Sequence, residues 1–282
     1  MYQRLGSWLE SLDGNSAAIE RGHSLLQRAY QAFVFVAQCE AIQEIALTQF
    51  QGRFSQLEGA PNKVHAWSPA VAKLLVDLSA SLAALRLLQN ETWQFTASAF
   101  NIKGAPQSLH DAYNTMRKSS VMKVRQDHWV NVLPAEVASI FMVYWDEQGK
   151  LLASYRDVDQ RHSILARNCF LDCGSQAFSR LWVCLPDNPD DKSLKKFTYI
   201  KNTDGIELAI QQINTLHHLL DGIAQSLGFL PQPIKQSINF SPAITLEDGA
   251  IKSTAILLLD ELGTRALALG QNEERRVTIR NC

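Results

Sequence analysis

Nothing in this 282-residue chain approaches the ~20 consecutive apolar residues of a bilayer span. Its apolar runs, such as AFVFVA from Ala32 and AILLLD from Ala255, stop far short. The opening stretch, MYQRLGSWLESLDGN, lacks a basic region followed by an apolar block, so no secretion signal is expected. An excess of one charge is also missing. The 27 Lys+Arg and 28 Asp+Glu leave a formal net charge of -1, which excludes a globally basic nucleic-acid coat but leaves room for a local basic pocket. There is no Gly-rich phosphate loop ending in Lys-Ser/Thr, no GxGxxG after a strand, no GxSxG elbow and no HExxH. Cysteine is sparse, odd in number and scattered: Cys39, Cys169, Cys173, Cys184 and Cys282. That pattern predicts reduced thiols in a cytoplasm. A zinc site on Cys169 and Cys173 would need His217 and His218 as further ligands, but adjacent histidines point to different sides of a helix. Buried structural thiols are the expectation, with no metal and no cofactor.

What is present describes an ordinary globular protein, 46% apolar and 20% charged, long enough for one large or two small domains. Residues 17–56 carry no proline between Ala17 and Gln56, and Leu25, Leu26, Ala29, Phe33, Val36, Ala37, Ile42, Ile45 and Ala46 recur at helical steps. After the loop GAPNKVHAWSP, Ser68 is a plausible N-cap and Pro69 a first-turn residue for a second helix through Leu74 to Leu88. That helix stops near Asn90 or runs on towards Phe100. A short helix is expected over 108–118, while 121–132 is ambiguous. A stronger helix begins at Pro134, and its stripe (Val137, Ile140, Phe141, Tyr144, Trp145, Leu151, Leu152, Tyr155) is continuous only if the helix runs through Gly149. Another helix is expected over 163–178. RLWVCLPD from Arg180 and KFTYIK from Lys196 read as a hairpin, and Asp204 caps a helix closed by Gly228. LPQPIKQ is a linker. Beyond it, AILLLDELGTRALALG is either a hairpin turning at Glu261–Gly263 or a helix, and RRVTIRN favours strand. The expected organisation is a mainly α protein: a helical bundle over 1–230 with a β-hairpin near 180–201, then a small β-rich region over 231–282.

The most informative segment is SYRDVDQRHS, Ser154 to Ser163, which ends a strongly amphipathic helix with Arg156, Asp157, Arg161 and His162. An imidazole exchanges protons near neutral pH, and a guanidinium holds a phosphate through two donors. Together these groups suit metal-free phosphoryl transfer on RNA, whose 2′-hydroxyl is the nucleophile that DNA lacks. Arg156 and His162 are six residues apart, about 240° around an ideal helix, so they do not share a face. They meet only if the helix breaks near Val158–Gln160 or a second copy of the chain brings its pair across a symmetric interface. Asp157 and Arg161, four apart, are spaced to pair.

An Arg, then a polar residue, then a His a few positions on, at the end of a helix in an α-helical bundle, resembles the HEPN superfamily. Here Arg156, Asp157 and His162 match, and the likeness covers 17–178. The resemblance implies a HEPN-like bundle, a homodimer whose two motifs face each other in a cleft, and in many members metal-independent endoribonuclease activity, often as toxins or antiviral defence effectors. It makes His162 the proton-transfer residue, Arg156 the phosphate clamp and Asp157 an orienting partner. RNA and a second copy are then the expected partners, with no membrane, and toxins of this kind bring a neutralising or regulatory protein as a further expected partner.

The same residues also fit a plainer account, in which Arg156, Asp157 and Arg161 are a charged helix terminus and His162 caps a carbonyl. In that case the chain is a non-catalytic dimerisation or sensor module. Tyr144, Trp145 and Tyr155 lie on the apolar stripe and are expected in the core. Trp129, beside His128, is the more exposed-looking aromatic. The carboxylates Asp190 and Asp191 read as a solvated turn, and Arg275, Arg276 and Arg280 as a solvated basic face on an edge strand.

Overall fold

The computed structural model describes residues 15–53, 63–120, 128–162, 169–173, 178–191, 194–228, 239–247, 250–260, 263–269 and 279–281. The protein is mainly helical. Helix α1 spans Ser16–Arg53, α2 Pro69–Ala99, α3 Leu109–Ser119, α4 Ala135–Tyr144, α5 Lys150–His162 and α6 Gly205–Ser226. Short strands β1 (Lys63–His65), β2 (Cys169–Cys173), β3 (Phe178–Leu185) and β4 (Thr203–Asp204) form one sheet in that order. Strands β5 (Asn239–Glu247), β6 (Ala250–Asp260), β7 (Gly263–Leu269) and β8 (Ile279–Asn281) form a second, antiparallel meander. No helix among the described residues is long and apolar enough to cross a membrane.

The chain divides into two compact units, each assembled from three stretches. One comprises Met1–Val36, Leu78–Asn168 and Val183–Gln232; the other comprises Ala37–Asp77, Cys169–Trp182 and Pro233–Cys282. In the first unit, Leu25, Leu82, Leu85, Leu88, Phe95, Phe141 and Leu152 are fully buried. Each contributes about 1.5–3 kcal/mol by leaving water. Trp93 packs edge-on against Trp129 and Phe141, with ring centroids 5.4 and 5.3 Å away. Trp129, expected at the surface, is therefore core: its short 3-10 turn, Trp129–Asn131, is capped by the His128 ring nitrogen and turns the indole inward.

Helix ends follow their side chains. Ser68 Oγ accepts from Val71 N at 3.1 Å, Ser108 Oγ from Asp111 N at 3.1 Å and Asp204 Oδ1 from Ile206 N at 3.0 Å. Helix α2 runs past Asn90 to Ala99, and Gly228 follows α6 with a φ of 79°. In the second unit, β1 pairs with β2 (His65↔Phe170), and Gln43 donates to the Leu181 carbonyl at 2.6 Å. Cys39 and Cys169 are buried there, while Cys184 is buried in the first unit.

Two expected elements also differ. Residues 169–173 are strand rather than helix: they pair with β1, and burial alternates, Cys169 and Leu171 buried and Phe170 and Asp172 half-exposed. The rest of that expected helix, 163–168 and 174–177, lies outside the described residues. KFTYIK is not the strand partner of β3. Asn188 and Asp187 take the N–H groups of Thr198, Ile200 and Lys201, and β3 pairs instead with β4 through Cys184↔Asp204. The distal hairpin does form, with Asp260 opposite Gly263, and Arg280 sits in edge strand β8. Residues 54–62, 121–127, 229–238 and 270–278, with Arg275 and Arg276, lie outside the described residues, as does Cys282.

Between α4 and α5 the helix does not stop at Gly149 but widens into a π turn, Trp145–Gly149, in which Lys150 N–H reaches back five residues to the Trp145 carbonyl. The extra residue lets adjacent Tyr144 and Trp145 both point inward. A Cβ on Gly149 would lie 2.9 Å from the Tyr144 ring and 3.0 Å from the Trp145 ring, whereas one on Gly222 of α6 would meet Ile140 at an ordinary 3.5 Å. Gly149→Ala is therefore expected to cost about 1–3 kcal/mol by overpacking. Gly222→Ala should be neutral or stabilising by about 0.5–1 kcal/mol. Urea unfolding of the two variants checks this; equal midpoints would remove the steric role assigned to Gly149.

Candidate functional site

Helix α5 buries Leu152, Tyr155, Val158 and Asp159. The Tyr155 hydroxyl donates to the Pro186 carbonyl at 2.9 Å, and Asp159 accepts from the Ser79 hydroxyl. These contacts set the rotation of the helix and leave Arg156 and Asp157 half-exposed, with Arg161 in solvent. Arg156 Nη1 donates to Asp157 Oδ1 at 2.8 Å, so the carboxylate engages its neighbour rather than Arg161 four positions on. The Arg156 side chain is 34% exposed, yet its Nε is buried and has no hydrogen-bond partner.

A second guanidinium stands nearby that spacing did not single out. Arg86 lies on α2 inside LAALRLLQ, a stretch read as core leucines. Its Nη1 donates to Gln89 Oε1 at 2.8 Å, and its carbon lies 5.2 Å from the Trp145 ring centroid. Burial pulls its pKa down from the ordinary arginine value, and the positive charge of Arg156 acts the same way. The negative charges of Asp157 and Asp111 act in the opposite direction. A guanidinium stays charged through such a shift.

Gln89 Nε2 in turn donates to the Tyr144 hydroxyl at 2.6 Å and to the Gly149 carbonyl at 3.3 Å. Burial drives the Tyr144 pKa upward. Across Trp145, the exposed ring of His110 stacks at 5.4 Å and 24°. His110 Nε2 lies 3.0 Å from Asn114 Nδ2. Tyr113, 5.7 Å from the same indole, donates to Asp146, and that hydrogen bond raises its pKa. A guanidinium and an imidazole thus lie against the Trp145 ring beside the π turn, with the charges of Arg156 and Asp157 within electrostatic reach of Arg86. The set can hold an anion and present a flat group beside it.

His162 is the last residue of α5, and its side chain lies outside what is described. The helix is unbroken through Val158–Gln160, so of the two ways for His162 to meet Arg156 the helical break is removed. Within one chain their positions stay about 240° apart. Among the described residues no three His, Cys, Asp or Glu side chains converge as a metal set. No family model matches the chain, and no characterised protein or solved structure matches it either.

Tyr155 gives the site a pH dependence. Burial raises its pKa to about 12, with the charge of Asp187 adding to the rise. A raised folded-state value means stability present below the unfolded tyrosine pKa, near 10, and lost as pH rises towards 12. Tyr155→Phe should flatten this alkaline limb between about pH 10 and 12, while losing about 1 kcal/mol at neutral pH with the hydrogen bond to Pro186. Urea titrations across that range check it; an unchanged limb would move the proton elsewhere.

Proposed function

We propose that this protein is a metal-independent endoribonuclease of HEPN type that acts as a cytoplasmic homodimer. The observation that carries this reading is the state of Arg156. Asp157 holds one of its nitrogens, its buried Nε is unpartnered, and Arg86 lies close enough for the two charges to repel. Like charges gathered at a partly exposed rim are relieved by an anion, and a phosphodiester is the anion that suits two guanidiniums.

In this mechanism Arg156 and Arg86 hold the scissile phosphate and stabilise its developing charge. His162 of the second copy accepts the 2′-hydroxyl proton as the 2′-oxygen bonds to phosphorus. The bond from phosphorus to the 5′-oxygen breaks, and the proton passes to that oxygen, leaving a 2′,3′-cyclic phosphate and a 5′-hydroxyl. The second copy is required because unbroken α5 separates the two groups within one chain. An activity of this kind is harmful unless restrained, which suits a toxin or antiviral effector with a neutralising or regulatory protein partner.

Purified protein should cleave mixed RNA in excess EDTA, and Arg156→Ala and His162→Ala should each lose about 100-fold or more. Co-expressed, the two inactive variants should recover about a quarter of full activity, since random pairing makes half the dimers mixed and each mixed dimer keeps one intact site of two. Undiminished cleavage by His162→Ala rejects this site, and failure of the mixture to recover rejects the shared one. A folded but inactive wild type leaves the second reading, a non-catalytic assembly module, which the unbroken α5 favours.

A further inference from the structure

Between β3 and β4 the chain carries LKKFTYIK, Leu194–Lys201, which sets two aromatics between a pair of lysines and a third. Lys195, Lys196 and Lys201 are exposed, Phe197 and Tyr199 half-exposed, and Ile200 is 83% exposed. So much apolar and cationic surface on an irregular segment would ordinarily imply a floppy loop, but this one is clasped. Asp187 accepts from Ile200 N at 2.7 Å, from Lys201 N at 3.1 Å and from the Thr198 hydroxyl at 3.2 Å, and its own N–H donates to the Thr198 carbonyl at 2.7 Å. Asn188 accepts from Thr198 N and donates to the Lys196 carbonyl, both at 2.9 Å. Asn202, at a φ of 52°, turns the chain back into β4.

The base of the loop is fastened to α5. Tyr155 bonds the Pro186 carbonyl, and Asp190 is engaged by Ser154 and by Lys150, the latter at 3.1 Å. Two of the loop's carboxylates are thereby occupied: Asp187 by backbone N–H groups and Asp190 by α5. The lysines are left facing solvent, on a segment anchored to the helix that carries Arg156.

We infer that Lys195–Lys201 is a preorganised track for single-stranded RNA, with Lys195 and Lys196 at one end and Lys201 at the other on phosphates, and Phe197 and Tyr199 beside the bases between them. This deepens the ribonuclease reading and rests on it for the class of substrate. Cations spaced along the backbone attract any nucleic acid, but aromatic stacking needs bases that are not already paired, so a single strand is the ligand that uses both features. Ordering the loop in advance removes part of the entropic cost of binding.

The test reads binding rather than cleavage, using a fluorescent 2′-O-methyl oligouridylate of about twelve nucleotides, whose blocked 2′-oxygen cannot attack. The full chain should bind it more tightly than a duplex of equal length. Replacing Lys195, Lys196 and Lys201 together by Ala should weaken binding at least about tenfold and lower the salt slope by about 2, from ~0.7 per phosphate contact. Asp187→Ala removes no cation but frees the loop, and should also weaken binding severalfold, which a merely basic surface would not show. Unchanged melting temperatures of these variants separate binding from folding.

An unaltered affinity and slope in the triple variant would overturn the track. So would binding to phosphatidylserine vesicles with none to the oligonucleotide, since that would assign the exposed Ile200 to a membrane surface. If the oligonucleotide binds through these lysines and RNA is nevertheless not cut, the track stands and the ribonuclease mechanism falls.

Discussion

Gln89 is fully buried on α2, and its side-chain amide closes three hydrogen bonds: from Arg86, to the Tyr144 hydroxyl and to the Gly149 carbonyl. Those bonds join α2 to the turn where α4 widens and becomes α5. The widened turn needs Gly149, because Tyr144 and Trp145 occupy the space a side chain would take. It admits one extra residue, and that residue together with the Tyr155 and Asp159 hydrogen bonds sets the rotation of α5. From that rotation follow the buried face of Tyr155, Val158 and Asp159 and the rim position of Arg156 and Asp157. A fully bonded buried amide adds little net stability, but leaving its partners unbonded costs about 1–3 kcal/mol each. It acts chiefly as a selector of one register.

The electrostatics around the turn are set by competition. Desolvation is the largest influence on Arg86, with the carboxylates of Asp157 and Asp111 opposing it and Arg156 reinforcing it. Neutralising a guanidinium is out of reach near neutral pH, so Arg86 keeps its charge despite its burial. The pair between Arg156 and Asp157 is partly exposed, its side chains 34% and 46% accessible, and an ion pair of that kind contributes no more than about 1 kcal/mol. It orients Arg156 more than it stabilises the fold. In the proposed mechanism an incoming phosphate would gain from both guanidiniums without their being gathered afresh.

Much of the helical skeleton was legible in the residues. Of the stripe read in α1, Leu25, Ala29, Val36, Ile42 and Ala46 are buried while Leu26, Phe33, Ala37 and Ile45 are half-exposed, and Ser68, Ser108 and Asp204 announce helix starts by chemistry that acts within four residues. What failed depended on distant partners. CFLDC is short enough to suit either period, and only pairing with β1 makes it strand. KFTYIK has strand composition, but Asp187 and Asn188 intercept its N–H groups. Trp129 is turned inward by a local cap and by Trp93, far away in sequence. Arg156 and Asp157 were visible as a dense polar cluster ending an apolar stripe, whereas Arg86 was hidden among leucines and is found only when α2 meets the π turn.

Two guanidiniums from separate helices that serve one anion must be energetically coupled, and a double-mutant cycle reads that coupling most directly. Inorganic pyrophosphate binding would be measured by calorimetry at low salt for the wild type, Arg86→Gln, Arg156→Gln and the double variant. Each single change should weaken binding about tenfold and the double should be little worse than either, a coupling of about 1 kcal/mol or more. Strictly additive losses, or pyrophosphate binding indifferent to both changes, would show that Arg86 and Arg156 do not share a ligand.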